Sequence, residues 1–169
     1  MNAILDFLEN SVIRYPKKIA IIDSGRKYSF SELSDSVDRF AANLLSYPQN
    51  SVISIIFENS IEFVISYLGI LKAGCIAHLI SPTTTESNIV EQIRSAQPKL
   101  IVYSRSLGEK LNNLTSFQKA EFREVFENNR PAKSPNIDTV NTAYLIYTSG
   151  TTSTPKGVPV SHANSVFTT

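Results

Sequence analysis

The chain has 169 residues, with 16 Lys and Arg against 15 Asp and Glu for a formal net charge of +1. That length suits one domain able to bury a core. The even, interspersed charge excludes a nucleic-acid-binding stripe and a polybasic membrane anchor. Its one cysteine, Cys75, excludes an internal disulfide framework and suits a reducing, cytoplasmic setting.

The N-terminal stretch reads as an amphipathic helix, with Ile4, Leu5, Leu8 and Val12 on one face. Asp6 and Glu9 in that stretch argue against a secretory leader. Ile19–Ile22 is a short strand that Ser24-Gly25-Arg26 turns back toward Tyr28–Phe30. Ser29 and Glu32 have capping-box spacing for a helix lined by Leu33, Val37, Phe40, Ala41 and Leu44, which ends near Pro48. Val52–Phe57 is almost wholly apolar, as a strand covered on both faces should be. Ser60 caps the next helix, which runs through Ala73 with Phe63, Val64, Tyr67, Leu68 and Leu71 inward. Ile76–Ile80 follows as a strand.

The whole apolar run Ile61–Ile80 raises the question of a membrane span. Glu62, Lys72 and His78 would each cost a few kcal/mol in a bilayer, so a buried helix–strand pair is the better reading. Cys75 in that run is a packing residue rather than a nucleophile, and His78 is a satisfied core histidine. Thr84 or Thr85 caps a helix carrying Ile89, Ile93 and Ala96, and Leu100–Tyr103 is the next strand. Leu107, Leu111 and Leu114 suggest a weak helix and Phe117–Phe126 another.

This order predicts an α/β fold: an alternating strand–helix three-layer unit with a mainly parallel sheet and right-handed crossovers. A generic Rossmann-like domain has the same spacing. No G-x-G-x-x-G follows any strand, which argues against a dinucleotide fingerprint.

The chemistry concentrates near the C-terminal end, where six of the seven residues from Thr148 to Thr154 carry hydroxyls and Gly150 is the seventh. Lys156 follows, between Pro155 and Gly157, and strand-like runs Ala143–Tyr147 and Val158–Val160 border the segment as a β-hairpin. Backbone N–H groups, hydroxyls and a point charge suit a polyanion such as a triphosphate. A Walker loop would need a second glycine where Pro155 stands, Ser or Thr where Gly157 stands, and a helix where Val158-Pro159-Val160 reads as a strand. From the residues alone, a plain Ser/Thr linker stays open beside phosphate binding. His162 reads equally as a polar residue at a helix start or as part of a site.

Tyr147-Thr-Ser-Gly-Thr-Thr-Ser-Thr-Pro-Lys-Gly-Val158 closely resembles the phosphate-loop signature of the adenylate-forming (AMP-binding) superfamily. That group holds acyl-CoA synthetases, adenylation domains of nonribosomal peptide synthetases, and luciferase. Ser153 stands where glycine is usual, a departure also met in some acyl-CoA synthetases. Tyr28–Leu33, Leu71–Cys75 with Ser81-Pro82, and Gln97–Val102 resemble further elements of the family in the same order. The resemblance implies that Thr148, Ser149, Gly150, Thr151, Thr152, Ser153 and Lys156 hold the β- and γ-phosphates of ATP. Mg²⁺ would arrive with the ATP, and no residue of the chain has metal-ligand spacing.

The resemblance further implies a ligase that activates a carboxylic or amino acid as acyl-AMP. The acyl group would then pass to coenzyme A or to a phosphopantetheine carrier. Family members are several times longer, so the chain is expected to be an amino-terminal fragment. It would carry no catalytic residue of its own and be inactive alone. Its organisation would be an α/β subdomain at 1–127, a linker at 128–142, and the phosphate-loop hairpin with the start of a helix at 143–169. The alternative is a non-catalytic split subunit that joins a partner chain, or itself, through open sheet edges. Neither nucleic acid nor membrane is an expected partner.

Overall fold

The apolar face at Leu5 and Leu8 folds as predicted: α1 (Ile4–Arg14) buries both residues in the main core. The computed structural model describes residues 4–127, 141–148 and 156–167. After α1 come β1 (Ile19–Asp23) and β2 (Arg26–Ser29), paired antiparallel and separate from the main sheet. The capping box forms at the start of α2 (Phe30–Ala42): the Ser29 N–H donates to Glu32 Oε2 at 2.8 Å, and the Glu32 N–H to Ser29 Oγ at 3.2 Å. Two of the helix's otherwise orphaned donors are thereby satisfied.

The strands β3 (Val52–Ile56), β4 (Ile76–Ile80) and β5 (Leu100–Tyr103) are parallel, with β3 in the middle. Helix α3 (Ile61–Lys72) joins β3 to β4, and α4 (Glu86–Ala96) joins β4 to β5. Helix α3 is capped by Ser60 and buries Leu71 as expected, but the rest of its buried face is Ile61, Ile65, Ser66, Gly69 and Ile70. The predicted Phe63, Val64, Tyr67 and Leu68 pack at the margin of the core. A helix apolar nearly all round has no single face that its pattern selects, and here the choice falls to α2. A Cβ on Gly69 would stand 2.6 Å from Phe40 Cδ1, so that glycine sets how closely the two helices approach.

The weak helix suggested by Leu107, Leu111 and Leu114 is a 3₁₀ helix over Arg105–Leu111. The helix expected over Phe117–Phe126 is corrected in its first half. Lys119–Glu121 is a strand, β6, parallel to β5, and only Phe122–Phe126 is helical, as α5. The reason is the edge of β5, whose Ile101 N–H donates to Gln118 O at 2.9 Å. Buried backbone donors need partners, and that need overrides a helical spacing of aromatics. The last strands are β7 (Thr142–Thr148) and β8 (Lys156–Ser161), followed by α6 (His162–Phe167).

The sheet has six strands in the order β6-β5-β3-β4-β7-β8, parallel throughout except for the antiparallel β7–β8 pair. Successive strand residues face opposite sides. Ile53 and Ile55 meet the core formed with α1, α2, α3 and α5, while Ile56, Ile80 and Ile101 meet α4 and the 3₁₀ helix. These are the three layers the alternation predicts. No helix among the described residues is long and apolar enough to cross a membrane.

Candidate functional site

The step from β3 to β4 runs one way across the sheet, and the step from β4 to β5 returns past β3. In open α/β sheets such a reversal leaves a crevice at the carboxyl ends of the strands, where ligands bind. A cleft of about 350 Å³ lies there, lined among others by Phe57 and Asn59 beyond β3, Ser81 and Thr84 beyond β4, and Ile146 and Tyr147 of β7. Helix N-termini at such a crevice are ready anion sites, but these two already hold other groups. At α3 the Ile61 N–H donates to Asp23 Oδ2 at 3.0 Å and the Phe63 N–H to Ser60 Oγ at 3.2 Å, with Glu62 in the first turn. At α4 the Asn88 N–H is directed at Thr85 Oγ1, with Glu86 in the first turn. Their capping hydroxyls and carboxylates occupy those donors and oppose an incoming phosphate.

Of the seven candidate residues, the described structure places two. Thr148 is the last residue of β7 and Lys156 the first of β8, and they are cross-strand partners. Both are exposed, and Lys156 makes no ion pair among the described residues. Strand alternation puts their side chains on the face of Ile146 and Val158, and Ile146 lines the cleft. Ser149, Gly150, Thr151, Thr152 and Ser153 lie outside the described residues, as does the proposed linker up to residue 140.

Ser104 and Ser106 each donate a hydroxyl to the exposed Glu58 carboxylate at 2.8 Å. The Ser104 bond, a backbone hydrogen bond and the Ser106 bond, in that order, hold the Glu58 carboxyl below the usual range. Cys75 is buried and its thiol is pushed up to about 11, which fits a packing role. His78 is buried as expected, but it is only half satisfied. Its Nδ1 lies 2.8 Å from Ser54 Oγ, while Nε2 has no hydrogen-bond partner. Burial pulls its pKa down to about 4, with the neighbouring Gln92 amide opposing the shift, so the ring is neutral near pH 7. His162 at the start of α6 is buried too, and its Nδ1 has no partner.

Sequence reasoning did not single out Tyr147 or the cleft-lining Asn59 and Gln92. Tyr147 borders the hydroxyl-rich segment, yet its contacts depend on strand register rather than on sequence neighbours.

The family described as AMP-binding enzyme matches residues 8–169. Tyrocidine synthase 3 of Brevibacillus parabrevis is 31% identical over 160 residues, which are 91% of this chain and 2% of that protein. Among solved structures, the N-terminal subdomain of NpsA from Klebsiella oxytoca superposes with a TM-score of 0.80 at 22% identity. The match covers 96% of this chain and 42% of that one. O-succinylbenzoate coenzyme A synthetase from Bacillus subtilis, solved in complex with AMP, gives a TM-score of 0.83 at 24% identity over 96% of this chain and 43% of that one. The chain spans less than half the length of each of these relatives. With the family matched from residue 8 through residue 169, the chain belongs to the AMP-binding enzymes.

Proposed function

We propose that this chain forms the amino-terminal part of an ATP-dependent adenylate-forming ligase, and that its β7–β8 hairpin grips the pyrophosphate portion of ATP. The observation that carries this is the pairing of Thr148 with Lys156 across the mouth of a seven-residue, hydroxyl-rich connection, beside the crevice at the carboxyl end of a parallel sheet. In the reaction, a carboxylate oxygen attacks the α-phosphorus of Mg²⁺-bound ATP and the bond to the β-phosphate oxygen breaks. Charge then accumulates on the departing pyrophosphate. Lys156 and the hydroxyls of Thr148, Ser149, Thr151, Thr152 and Ser153 are placed in sequence to offset that charge, with Gly150 letting the backbone approach closely. Coenzyme A or a carrier phosphopantetheine would then take the acyl group, in a reducing cytoplasmic setting.

The test is carboxylate-dependent exchange of labelled pyrophosphate into ATP, over a panel of carboxylic and amino acids. The ligase carrying this chain should show exchange with some members of the panel and lose it in Lys156→Ala. Residues 1–169 alone should give a flat baseline. Undiminished exchange in the Lys156→Ala ligase contradicts the reading.

One observation favours a second role, association through the hairpin edge. Val158, 41% exposed, lies on β8, an edge strand that no further strand covers among the described residues, and its cross-strand partner Ile146 on β7 is 39% exposed. Light scattering at high concentration should show self-association, and a clean monomer counts against it.

A further inference from the structure

Tyr147 immediately precedes Thr148, Gly157 immediately follows Lys156, and the two are themselves cross-strand partners. The tyrosine ring lies so close over Gly157 that a Cβ there would stand 2.9 Å from the ring's Cζ and 3.1 Å from its phenol oxygen. The far end of a side chain can ordinarily swing clear of such a clash. Here the same ring also packs on the His78 imidazole, with centroids 5.0 Å apart and planes tilted by 53°. His78 is fully buried and tied to Ser54 on β3. Swinging Tyr147 away therefore breaks a contact with the interior of the sheet.

The β7–β8 ladder and the pairing of β7 with β4 restrain the hairpin along its length, but its outer strand is thinly covered. Strand β8 is exposed over Lys156–Pro159, and Pro159, opposite Leu145, brings no amide to the ladder. An aromatic seated over a glycine partner is a recognised way of pinning register at a sheet edge.

We propose that Tyr147 is a positioning residue: held by His78 and seated on Gly157, its ring fixes the separation at which Thr148 and Lys156 meet pyrophosphate oxygens. The proposal rests on the phosphate reading above. It assigns Gly157 a packing role, as the partner over which the ring closes.

The test uses the 169-residue chain with inorganic pyrophosphate and Mg²⁺ as the probe. Amide hydrogen exchange at Thr148 and Lys156 reads the clamp, and an NMR titration reads the grip. Tyr147→Ala and Gly157→Ala should each speed exchange at both amides and weaken pyrophosphate binding by about tenfold, the scale of one aromatic contact. The amides of β3 should exchange as before. The double variant Tyr147→Ala/Gly157→Ala should be no worse than the weaker single variant, because all three lose the same contact. Tyr147→Phe keeps the ring and should restore binding to within about twofold. Additive losses in the double variant overturn the proposal, and so does Tyr147→Ala binding pyrophosphate as tightly as the unaltered chain. An unaltered chain that ignores pyrophosphate overturns the phosphate reading and the positioning role together, while exchange coupling between Tyr147 and Gly157 still reports whether the clamp exists.

Discussion

Strands β3 and β8 lie three places apart in one sheet and share almost nothing in their surroundings. Four of the five residues of β3 are buried, and both its neighbours run parallel to it. Four of the six residues of β8 are exposed, and its one described neighbour runs antiparallel. The contrast separates two tasks. The centre holds the fold through apolar contact, whereas the edge presents polar groups and a cation on a base that the centre steadies. Rigid scaffolds carrying functional loops commonly divide labour this way. Substitutions at the centre should therefore change stability, and substitutions at the edge should change binding.

The largest effect is expected in the α2–α3 layer beside β3. Phe40 is fully buried and stacks on Phe122 at 5.7 Å, so Phe40→Ala should cost about 3–5 kcal/mol of unfolding free energy. Urea melts measure it, and a loss below about 1 kcal/mol would mean that the layer repacks freely.

Next comes a pH dependence set by the interior. His78 is held at about 4, against an ordinary 6.5. The unfolded chain takes up that proton near pH 6.5 while the folded chain refuses it down to about pH 4. Stability therefore falls as pH drops through this window and levels off below it. The full loss is about 3 kcal/mol. His162, also held low by burial, adds in the same direction, and Glu62, raised by burial, works against it. Melts from pH 7 to pH 5 should show the slope, and His78→Asn should remove most of it. An unchanged slope in that variant would place the dependence elsewhere.

Gly69→Ala comes third. The added methyl meets Phe40 at 2.6 Å, and the expected cost is about 1–3 kcal/mol. Thermal denaturation checks it, and an unchanged or raised midpoint would show that α2 and α3 can separate without penalty.

The same contrast explains what the sequence disclosed. The centre was legible because burial leaves a dense signal: continuous apolar strands at Val52–Ile56 and Ile76–Ile80, and capping hydroxyls at Ser29, Ser60 and Thr85. It failed where partners decide rather than pattern. Lys119–Glu121 is a strand because β5 needed a neighbour, and α3 buries the face that Phe40 selects. At the edge, the hydroxyl-rich run with Lys156 stood out by composition and by family resemblance. The pairing of Thr148 with Lys156 and the seating of Tyr147 on Gly157 could not, because both follow from register between strands seven residues apart in sequence. The half-satisfied state of His78 was equally hidden, since it depends on Ser54, 24 residues away.

The central claim is that the hairpin grips pyrophosphate oxygens, and one titration tests it most directly. Inorganic pyrophosphate with Mg²⁺ is added to the 169-residue chain while backbone amide resonances are followed, in the unaltered protein and in Lys156→Ala. The account predicts shifts centred on Thr148 to Lys156 that vanish in the variant, with its unfolding free energy changed by less than about 0.5 kcal/mol. Shifts elsewhere on the sheet, or equal shifts in Lys156→Ala, would contradict it.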